Sequence, residues 1–165
     1  AVRMAEPALN NFSGTVLSLY GDVPLVQTNT MKSLCAAVDA DHGLAVLGFR
    51  PADTRNYGRL ISDADGGLNQ IVEYVDATPK QRKVGFCNSG IMAVRSDLLW
   101  NLLAEVRNDN SKGEYYLTDI VAMARTKGDR VATIEAGEYE VTGVNSQEEL
   151  AALELHLTGK SGVYA

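Results

Sequence analysis

Two short apolar runs on either side of a helix-like segment constrain the fold more than any other feature of this sequence. Residues 15–20 read Thr-Val-Leu-Ser-Leu-Tyr before Gly21, and residues 44–49 read Leu-Ala-Val-Leu-Gly-Phe. Such runs are typical of strands buried on both faces of a sheet. We therefore predict two buried strands, with the first in a central position.

The segment between the two runs has helical periodicity. Thr28 can cap a helix in which Met31, Leu34, Cys35 and Val38 recur at helical spacing. A strand-helix-strand unit favours a parallel sheet covered by helices, with ligands beyond the carboxyl ends of the strands. This unit places the chain in the α/β class.

The remaining elements enlarge the sheet and its helical cover. Residues 58–62 and 68–74 are strand-like and flank an acidic, glycine-containing turn, which predicts a hairpin. Amphipathic helices are predicted after Ser96 and Thr118, a last strand at 130–135, and a final helix at the capping box formed by Ser146 and Glu149. We predict a single domain, residues 1–165, with a mixed, mainly parallel sheet and helices on both faces.

Composition excludes several classes of protein. The chain has 165 residues, of which 45% are hydrophobic and 22% charged, as expected for one soluble globular domain. Its formal charge of −6 includes no basic block, so we expect no nucleic acid and no acidic membrane surface as partner. Cys35 and Cys87 lack metal-type spacing, and no run of about 20 apolar residues or signal pattern is present. We expect a cytoplasmic protein.

Asp22 and Asn145 are candidate ligands for a divalent cation. Asp22 directly follows the first apolar run, and Asn145 directly precedes the last predicted helix. A carboxylate at the end of a strand can hold Mg²⁺ and present it to a phosphate, and an amide oxygen can join it. The alternatives are an ordinary turn at Gly21-Asp22 and an ordinary loop residue at 145.

Other polar positions are candidates for ligand contact. Glu73 interrupts an apolar strand pattern, so it either accepts hydrogen bonds from a sugar hydroxyl or lies at an exposed edge. Asn88 precedes Ser-Gly within a strand-like run, which indicates either a ligand contact or a β-bulge. Glu114, Tyr116 and Thr118 cluster at a helix start, and capping explains only the threonine.

No pattern indicates a covalent mechanism. The sequence has no Gly-x-Ser-x-Gly, no P-loop and no Cys/His arrangement of catalytic type. Covalent nucleophilic catalysis is therefore not supported.

Several segments, taken in order, resemble one family. They are Leu-Tyr-Gly-Asp-Val-Pro-Leu at 19–25, Asn-Tyr-Gly-Arg at 56–59, Ile-Val-Glu at 71–73, Asp-Ala-Thr at 76–78, Asn-Ser-Gly at 88–90, Asn-Asp-Asn at 108–110, Gly-Glu-Tyr-Tyr-Leu-Thr-Asp at 113–119 and Gly-Val-Asn at 143–145. They resemble the uridylyltransferase domain of the bacterial bifunctional N-acetylglucosamine-1-phosphate uridylyltransferase/glucosamine-1-phosphate acetyltransferases.

The resemblance implies a Rossmann-like nucleotidyltransferase. Such an enzyme transfers a uridylyl group from UTP to N-acetylglucosamine 1-phosphate, giving pyrophosphate and UDP-N-acetylglucosamine for the peptidoglycan and lipopolysaccharide of the cell envelope. It implies that Asp22 and Asn145 hold a catalytic Mg²⁺. The implied substrate contacts are Tyr20, Gly58, Glu73, Asn88, Glu114, Tyr116 and Thr118.

The sequence departs from the family pattern in three respects. It contains no glycine-rich, basic N-terminal loop, so we expect a partial domain with weak or absent UTP binding and little turnover alone. Val75 stands where the family has lysine, and Gln147 stands where the family usually has a basic residue shortly after Gly-Val-Asn. The acetyltransferase β-helix is absent, so no trimer is expected. Alternatives are a nucleotidyltransferase for another base or sugar, or a non-catalytic module that binds sugar phosphate.

Overall fold

The computed structural model describes residues 1–64 and 66–160, without the side chains of residues 156 and 160. The strands are β1 Thr15–Ser18, β2 His42–Phe49, β3 Arg59–Ser62, β4 Leu68–Val72, β5 Cys87–Arg95 and β6 Arg130–Ala136. The α-helices are α1 Thr28–Ala36, α2 Pro79–Arg82, α3 Ser96–Glu105, α4 Asp119–Thr126 and α5 Gln147–Lys160. Two 3₁₀ segments, Val2–Leu9 and Glu138–Val141, complete the described elements, and none of these helices is long and apolar enough to cross a membrane.

The strands form one mixed sheet in the order β4-β3-β5-β2-β6, with β1 also paired to β5. The prediction of an α/β fold with a mixed sheet is confirmed. The prediction that the sheet is mainly parallel is wrong, because only β2 and β6 pair in parallel among the described strands. The hairpin β3-β4 and the long strand β5 add antiparallel neighbours that the strand-helix-strand unit at the start of the chain did not indicate.

Strand β1 lies at an edge, so its predicted central position is also wrong. It pairs with the Met92–Arg95 end of β5, whereas β3 meets β5 near Cys87 on the same side. Both β1 and β2 run antiparallel to β5, so they are parallel to each other but separated by that strand. The apolar run at 15–20 correctly predicted a strand, but it did not specify which strands pair with β1. The residues of β1 are only half-buried.

Helices cover both faces of the sheet, as predicted. Alternate residues of β2 divide between two cores: Leu44 and Val46 face α3 and α4, whereas Ala45 and Leu47 face α1. The α1 face is closed by Leu34, which is fully buried. This alternation buries both sides of β2 and makes the middle of the sheet rigid.

Two of the predicted capping residues use their hydroxyl groups elsewhere. Ser96 is the first residue of α3, and its Oγ donates to the Phe12 carbonyl at 3.0 Å. Thr118 occupies the N-cap position of α4, but its hydroxyl donates to Glu73. Thr28 is likewise the first helical residue of α1, because Gln27 occupies the cap position. The predicted turn at 63–67 has Gly66 at φ +82°, with residue 65 outside the described part of the chain.

Candidate functional site

A cleft of about 800 Å³ opens at one end of the sheet. It lies beyond the carboxyl ends of β1, β2, β4 and β6, next to the first residues of β5. The prediction that ligand-binding groups gather beyond the carboxyl ends of strands agrees with this position. Its lining residues are Tyr20, Asp22, Val23, Ala52, Arg55, Asn56, Tyr57, Gly58, Glu73, Asn88, Ser89, Gly90, Thr118, Glu138, Tyr139, Val141, Thr142, Gly143, Asn145, Glu149, Ala152 and Leu153.

Most of the residues singled out in the sequence meet at this cleft. Those that line it are Tyr20, Asp22, Gly58, Glu73, Asn88, Thr118 and Asn145. Glu114 and Tyr116 are not among the lining residues, and neither are Val75 and Gln147, the two departures from the family pattern. Residues separated by more than 120 positions in sequence thus share one surface.

Asp22 and Asn145 lie on the same wall of the cleft. The backbone N–H of Val144 donates to the Asp22 carbonyl at 2.8 Å, which joins the segment after β1 to the loop before α5. The Asn145 N–H donates to the Glu149 carboxylate at 2.7 Å, and the Glu149 N–H donates to Ser146 Oγ. The predicted serine cap is therefore confirmed, although the returning bond from Glu149 reaches Asn145 instead of Ser146.

The oxygen atoms on this wall suit Mg²⁺. Within the described part of the chain, no three His, Cys, Asp or Glu side chains gather as a metal-binding cluster. Mg²⁺ does not require such a cluster, because it keeps several waters and binds one or two protein oxygens together with substrate phosphates. A carboxylate at Asp22 and an amide at Asn145 are a donor set of that kind.

Tyr20 packs against the backbone of β5. Gly90 has φ +85°, and a side chain at this position would overlap the Tyr20 ring. Partial burial, together with the carboxylates of Glu73 and Asp22, raises the pKa of Tyr20 above 10.0. Tyr20 therefore keeps its proton at neutral pH and can donate a hydrogen bond in the cleft.

Glu73 is held at the floor of the cleft. The Thr118 hydroxyl donates to Glu73 Oε1 at 3.2 Å, which joins the end of β4 to the start of α4. A side chain at Gly58 would lie 3.4 Å from Glu73 Oε2, so the glycine leaves the carboxylate open toward the cleft. The carboxylate is thus oriented but retains acceptor capacity for a ligand hydroxyl.

Asn88 lies at a bulge in the pairing of β5 with β2 and also lines the cleft. The pairing of β2 with β5 shifts between Val46 and Gly48, which confirms the bulge alternative for the Asn-Ser-Gly segment. Asn88 Oδ1 accepts from the Gly90 N–H at 3.0 Å, and the Asn88 N–H donates to the Gly58 carbonyl at 2.9 Å. The bulge and the ligand-facing position are compatible, because bulges re-aim side chains at the ends of strands.

Tyr116 lies near the cleft in an acidic region. Burial and the carboxylates of Asp76, Glu114, Glu73 and Asp119 raise its pKa above 10.0. Its hydroxyl oxygen is buried and has no hydrogen-bond partner among the described residues. Burial and Asp76 also raise the pKa of Asp119 above 3.8. Carboxylates thus accumulate on this side of the cleft.

A buried arginine, which sequence reasoning missed, holds one wall of the cleft. Arg59 is 1% exposed, and its guanidinium donates to the carbonyls of Thr54, Arg55, Tyr57 and Arg82 and to the Thr54 hydroxyl. These bonds fix the loop at 52–58. The only sequence signal was its place in the Asn-Tyr-Gly-Arg segment, where nothing distinguished a buried arginine from an exposed one.

Two solved structures share the fold of this chain. A solved CMP:2-keto-3-deoxy-manno-octonic acid synthetase complexed with CTP superimposes with a TM-score of 0.68 at 16% identity, covering 96% of this chain and 68% of that one. A 4-diphosphocytidyl-2C-methyl-D-erythritol synthase from Anaerococcus prevotii gives a TM-score of 0.61 at 19% identity, covering 95% of this chain and 64% of the other. At these identities the likeness concerns the fold.

Curated relatives found by sequence comparison are more similar to this chain than these two solved structures are. The bifunctional protein GlmU of Rhizorhabdus wittichii is 51% identical over 93% of the chain, and that of Rhodospirillum rubrum is 54% identical over 97%. No family model matches. The chain is therefore a relative of the bifunctional GlmU proteins, which confirms the resemblance found in the sequence. It spans about a third of their length, 34% and 36% in these two cases.

Proposed function

We propose that this chain provides the sugar-phosphate site of a uridylyltransferase that joins UTP to N-acetylglucosamine 1-phosphate. The observation that carries the proposal is the convergence of seven predicted residues, from six separate segments, on one cleft at the carboxyl ends of strands. A cleft with a few convergent polar groups is the usual form of a small-molecule site. Relatives with about 50% identity support a sugar nucleotidyltransferase.

The sugar is held by groups of known orientation. Glu73, already aligned by the Thr118 hydroxyl, accepts hydrogen bonds from sugar hydroxyls. Gly58 allows the ring to approach the backbone, and the neighbouring Asn88, whose N–H donates to the Gly58 carbonyl, offers its side-chain amide to the sugar. Tyr20, whose phenol is protonated at neutral pH, donates a hydrogen bond to the ligand. These contacts position the phosphate of the sugar for in-line attack.

The reaction requires no protein nucleophile. A phosphate oxygen of N-acetylglucosamine 1-phosphate attacks the α-phosphorus of UTP, the new P–O bond forms, and the bond to pyrophosphate breaks. Asp22 and Asn145 would hold a Mg²⁺ ion through their oxygens. When bound, Mg²⁺ neutralises negative charge that spreads over the phosphate oxygens in the transition state. The remaining residues orient the sugar phosphate.

Nucleotide affinity should be low in the 165-residue chain taken alone. Its sequence contains no glycine-rich, basic segment of the kind that cradles a triphosphate with backbone N–H groups. We expect sugar-phosphate binding without appreciable turnover. Formation of UDP-N-acetylglucosamine by this chain and Mg²⁺ at a rate on the order of 10 per second would contradict this part of the proposal.

Calorimetry with N-acetylglucosamine 1-phosphate tests the site. The unaltered chain should show saturable binding, and Asn88→Ala should weaken it about tenfold, the effect of losing one hydrogen bond to a charged or strongly polar group. Asn101→Ala, on the exposed face of α3, is the matched control and should bind normally. Absence of binding by the unaltered chain would refute the proposed site.

The proposed metal pair has a separate test. Mg²⁺ should increase the affinity for the sugar phosphate in the unaltered chain, because an ion held at Asp22 and Asn145 would offset the negative charge of the phosphate. This increase should disappear in Asp22→Ala, and with EDTA this variant should bind at least as tightly as the unaltered chain, because one carboxylate no longer repels the phosphate. An equal response to Mg²⁺ in both proteins would exclude Asp22 as a ligand.

A further inference from the structure

We propose that Arg55 binds the phosphate group of the sugar phosphate and so selects phosphorylated over neutral sugars. The inference rests on the proposed function and adds a specificity-determining residue to it. Among the described residues that line the cleft, Arg55 is the single lysine or arginine. The same walls carry four carboxylates, on Asp22, Glu73, Glu138 and Glu149.

The negative charge of the cleft walls makes a positive group necessary for phosphate binding. A dianionic phosphate entering a space lined by four carboxylates is repelled unless a cation faces it. Mg²⁺ at Asp22 would compensate part of this charge. Arg55 is the remaining positive group in the wall, and a planar guanidinium with several donors matches phosphate oxygens in geometry as well as charge.

The Arg55 backbone is held in an unfavourable conformation. Its φ is +38°, and it is the one residue other than glycine with a positive φ in the described part of the chain. The Arg55 N–H donates to Asp53 Oδ1 at 3.0 Å, and its carbonyl accepts from Arg59 Nη2 at 3.2 Å. Residues kept in such conformations by their surroundings concentrate at binding sites.

The Arg55 side chain is not used for structure. Arg50, Arg95 and Arg125 each form an ion pair with an Asp or Glu, whereas the described residues contain no such partner for Arg55. Arg55 is also exposed. The loop therefore fixes the backbone through the buried Arg59, while the guanidinium of Arg55 stays free for an anion.

The test compares N-acetylglucosamine 1-phosphate with N-acetylglucosamine as ligands of the full 165-residue chain. Arg55→Gln should weaken sugar-phosphate binding about tenfold, the value of one charge-assisted contact, and leave binding of the neutral sugar unchanged. Arg55→Lys should recover part of the loss. Arg130→Gln, an exposed arginine at the start of β6 and remote from the cleft, is the matched control.

A second variant separates binding from folding. Arg55→Gly relieves the positive φ, so its unfolding temperature should equal or exceed that of the unaltered chain, while its sugar-phosphate affinity falls as in Arg55→Gln. The affinity of the unaltered chain should also decrease with added NaCl more steeply than that of either variant.

Three outcomes would overturn the inference. Sugar-phosphate affinity within twofold of normal in Arg55→Gln would show that the guanidinium does not bind phosphate. Equal weakening for both sugars would show that Arg55 only shapes the cleft. Failure of the unaltered chain to bind the sugar phosphate would refute the proposed function together with this inference, whereas the first two outcomes leave the proposed function standing.

Discussion

Two cavities of similar size in this molecule differ in how they are built. The cleft occupies about 800 Å³, and a second cavity, here called the helix-side cavity, occupies about 730 Å³. The helix-side cavity is bounded by β4, the end of α3 and α4; its lining residues are Gln70, Ile71, Ala104, Glu105, Val106, Arg107, Asp119, Ala122 and Met123. Volume alone would therefore not separate a candidate site from a packing gap.

The cleft and the helix-side cavity differ in backbone conformation and in the hydrogen bonds that hold their walls. The cleft has two lining residues at positive φ, Arg55 and Gly90, whereas the described lining of the helix-side cavity has none. Hydrogen bonds between remote segments hold the cleft walls, as between Val144 and Asp22. The helix-side cavity is lined mainly by residues within β4, α3 and α4, with Val106 and Arg107 directly after α3. Strained positions and long-range polar contacts are thus the better indicators of function.

The largest expected effect comes from the buried arginine behind the cleft. Arg59→Met removes the donors for four carbonyls in and near the loop at 52–58. Since each stranded acceptor is costly, we expect the free energy of unfolding to fall by about 2–4 kcal/mol in urea titrations. Sugar-phosphate binding should be lost as well, because the wall carrying Arg55 loses its support.

Arg107→Met, in the helix-side cavity, is the matched control. Arg107 is exposed, so its loss should change the free energy of unfolding by less than about 0.5 kcal/mol. Similar losses for the two substitutions would remove the distinction between the cavities. A stable Arg59→Met protein would show that water replaces the guanidinium at little cost.

The contrast between the cavities also shows what sequence could predict. Apolar patterns predicted β1 to β4, β6 and the helices α1, α3, α4 and α5, because burial sets that pattern directly. They indicated β5 only as a strand-like run around Asn88, and they did not indicate the short helix α2. It did not give the neighbours of β1 or the antiparallel share of the sheet, because an apolar run specifies burial but not its pairing partner. Strand ends and the matched motifs together indicated Asp22, Glu73 and Asn145.

Arg55 and Arg59 could not be predicted from the residues alone. Arg59 is 1% exposed and its guanidinium is bonded to carbonyls, whereas Arg55 is exposed at the cleft, yet the two lie four residues apart, Arg55 in the loop and Arg59 at the start of β3. The loop conformation, including the positive φ of Arg55, decides this difference. Nothing local to either arginine encodes that conformation, because the hydrogen bonds of Arg59 reach as far as Arg82.

The next effect in size concerns Gly90. Gly90→Ala forces a side chain into φ +85° and into the Tyr20 ring, so we expect a loss of about 1–2 kcal/mol in stability, together with weaker sugar-phosphate binding. Gly128→Ala provides the control: Gly128 has φ +94° after α4, with nothing within 4 Å of the added carbon.

Thermal unfolding and calorimetry on both variants separate strain from contact. Gly128→Ala should lose stability through strain while its affinity stays normal. If Gly90→Ala also kept normal affinity, Tyr20 would have no role in the cleft.

A matched pair of neutralised carboxylates sharpens the comparison further. Glu73→Gln removes an acceptor of charge −1 from the cleft and should weaken sugar-phosphate binding about tenfold, or about 1.4 kcal/mol, with little change in unfolding. Glu105→Gln makes the same chemical change in the helix-side cavity and breaks only an exposed contact with Lys127. The Glu105→Gln variant should bind the sugar phosphate with normal affinity. Equal weakening by both substitutions would indicate a general charge effect on the ligand.

The smallest expected effect concerns Asp119, in the helix-side cavity. Burial and the neighbouring Asp76 raise its pKa, so its ionised form is disfavoured in the folded protein. Because the folded-state pKa exceeds the unfolded value of 3.8, the destabilisation is absent below pH 3.8 and is complete above the raised pKa. Asp119→Asn avoids it, and should stabilise the protein at neutral pH by less than about 1 kcal/mol, since solvent screens a partly buried carboxyl.

Urea titrations at several pH values test this sign. The free energy of unfolding of Asp119→Asn, relative to that of the unaltered chain, should increase as the pH rises from about 3.5. The increase should level off above the raised pKa of Asp119. Asp109→Asn, on the exposed loop before α4, should show no such trend. A destabilised Asp119→Asn at neutral pH would mean that the favourable interaction of this carboxylate with the start of α4 outweighs its repulsion from Asp76. In that case the negative charge at Asp119, the first residue of α4, stabilises the helix, and its place in the helix-side cavity follows from that structural role.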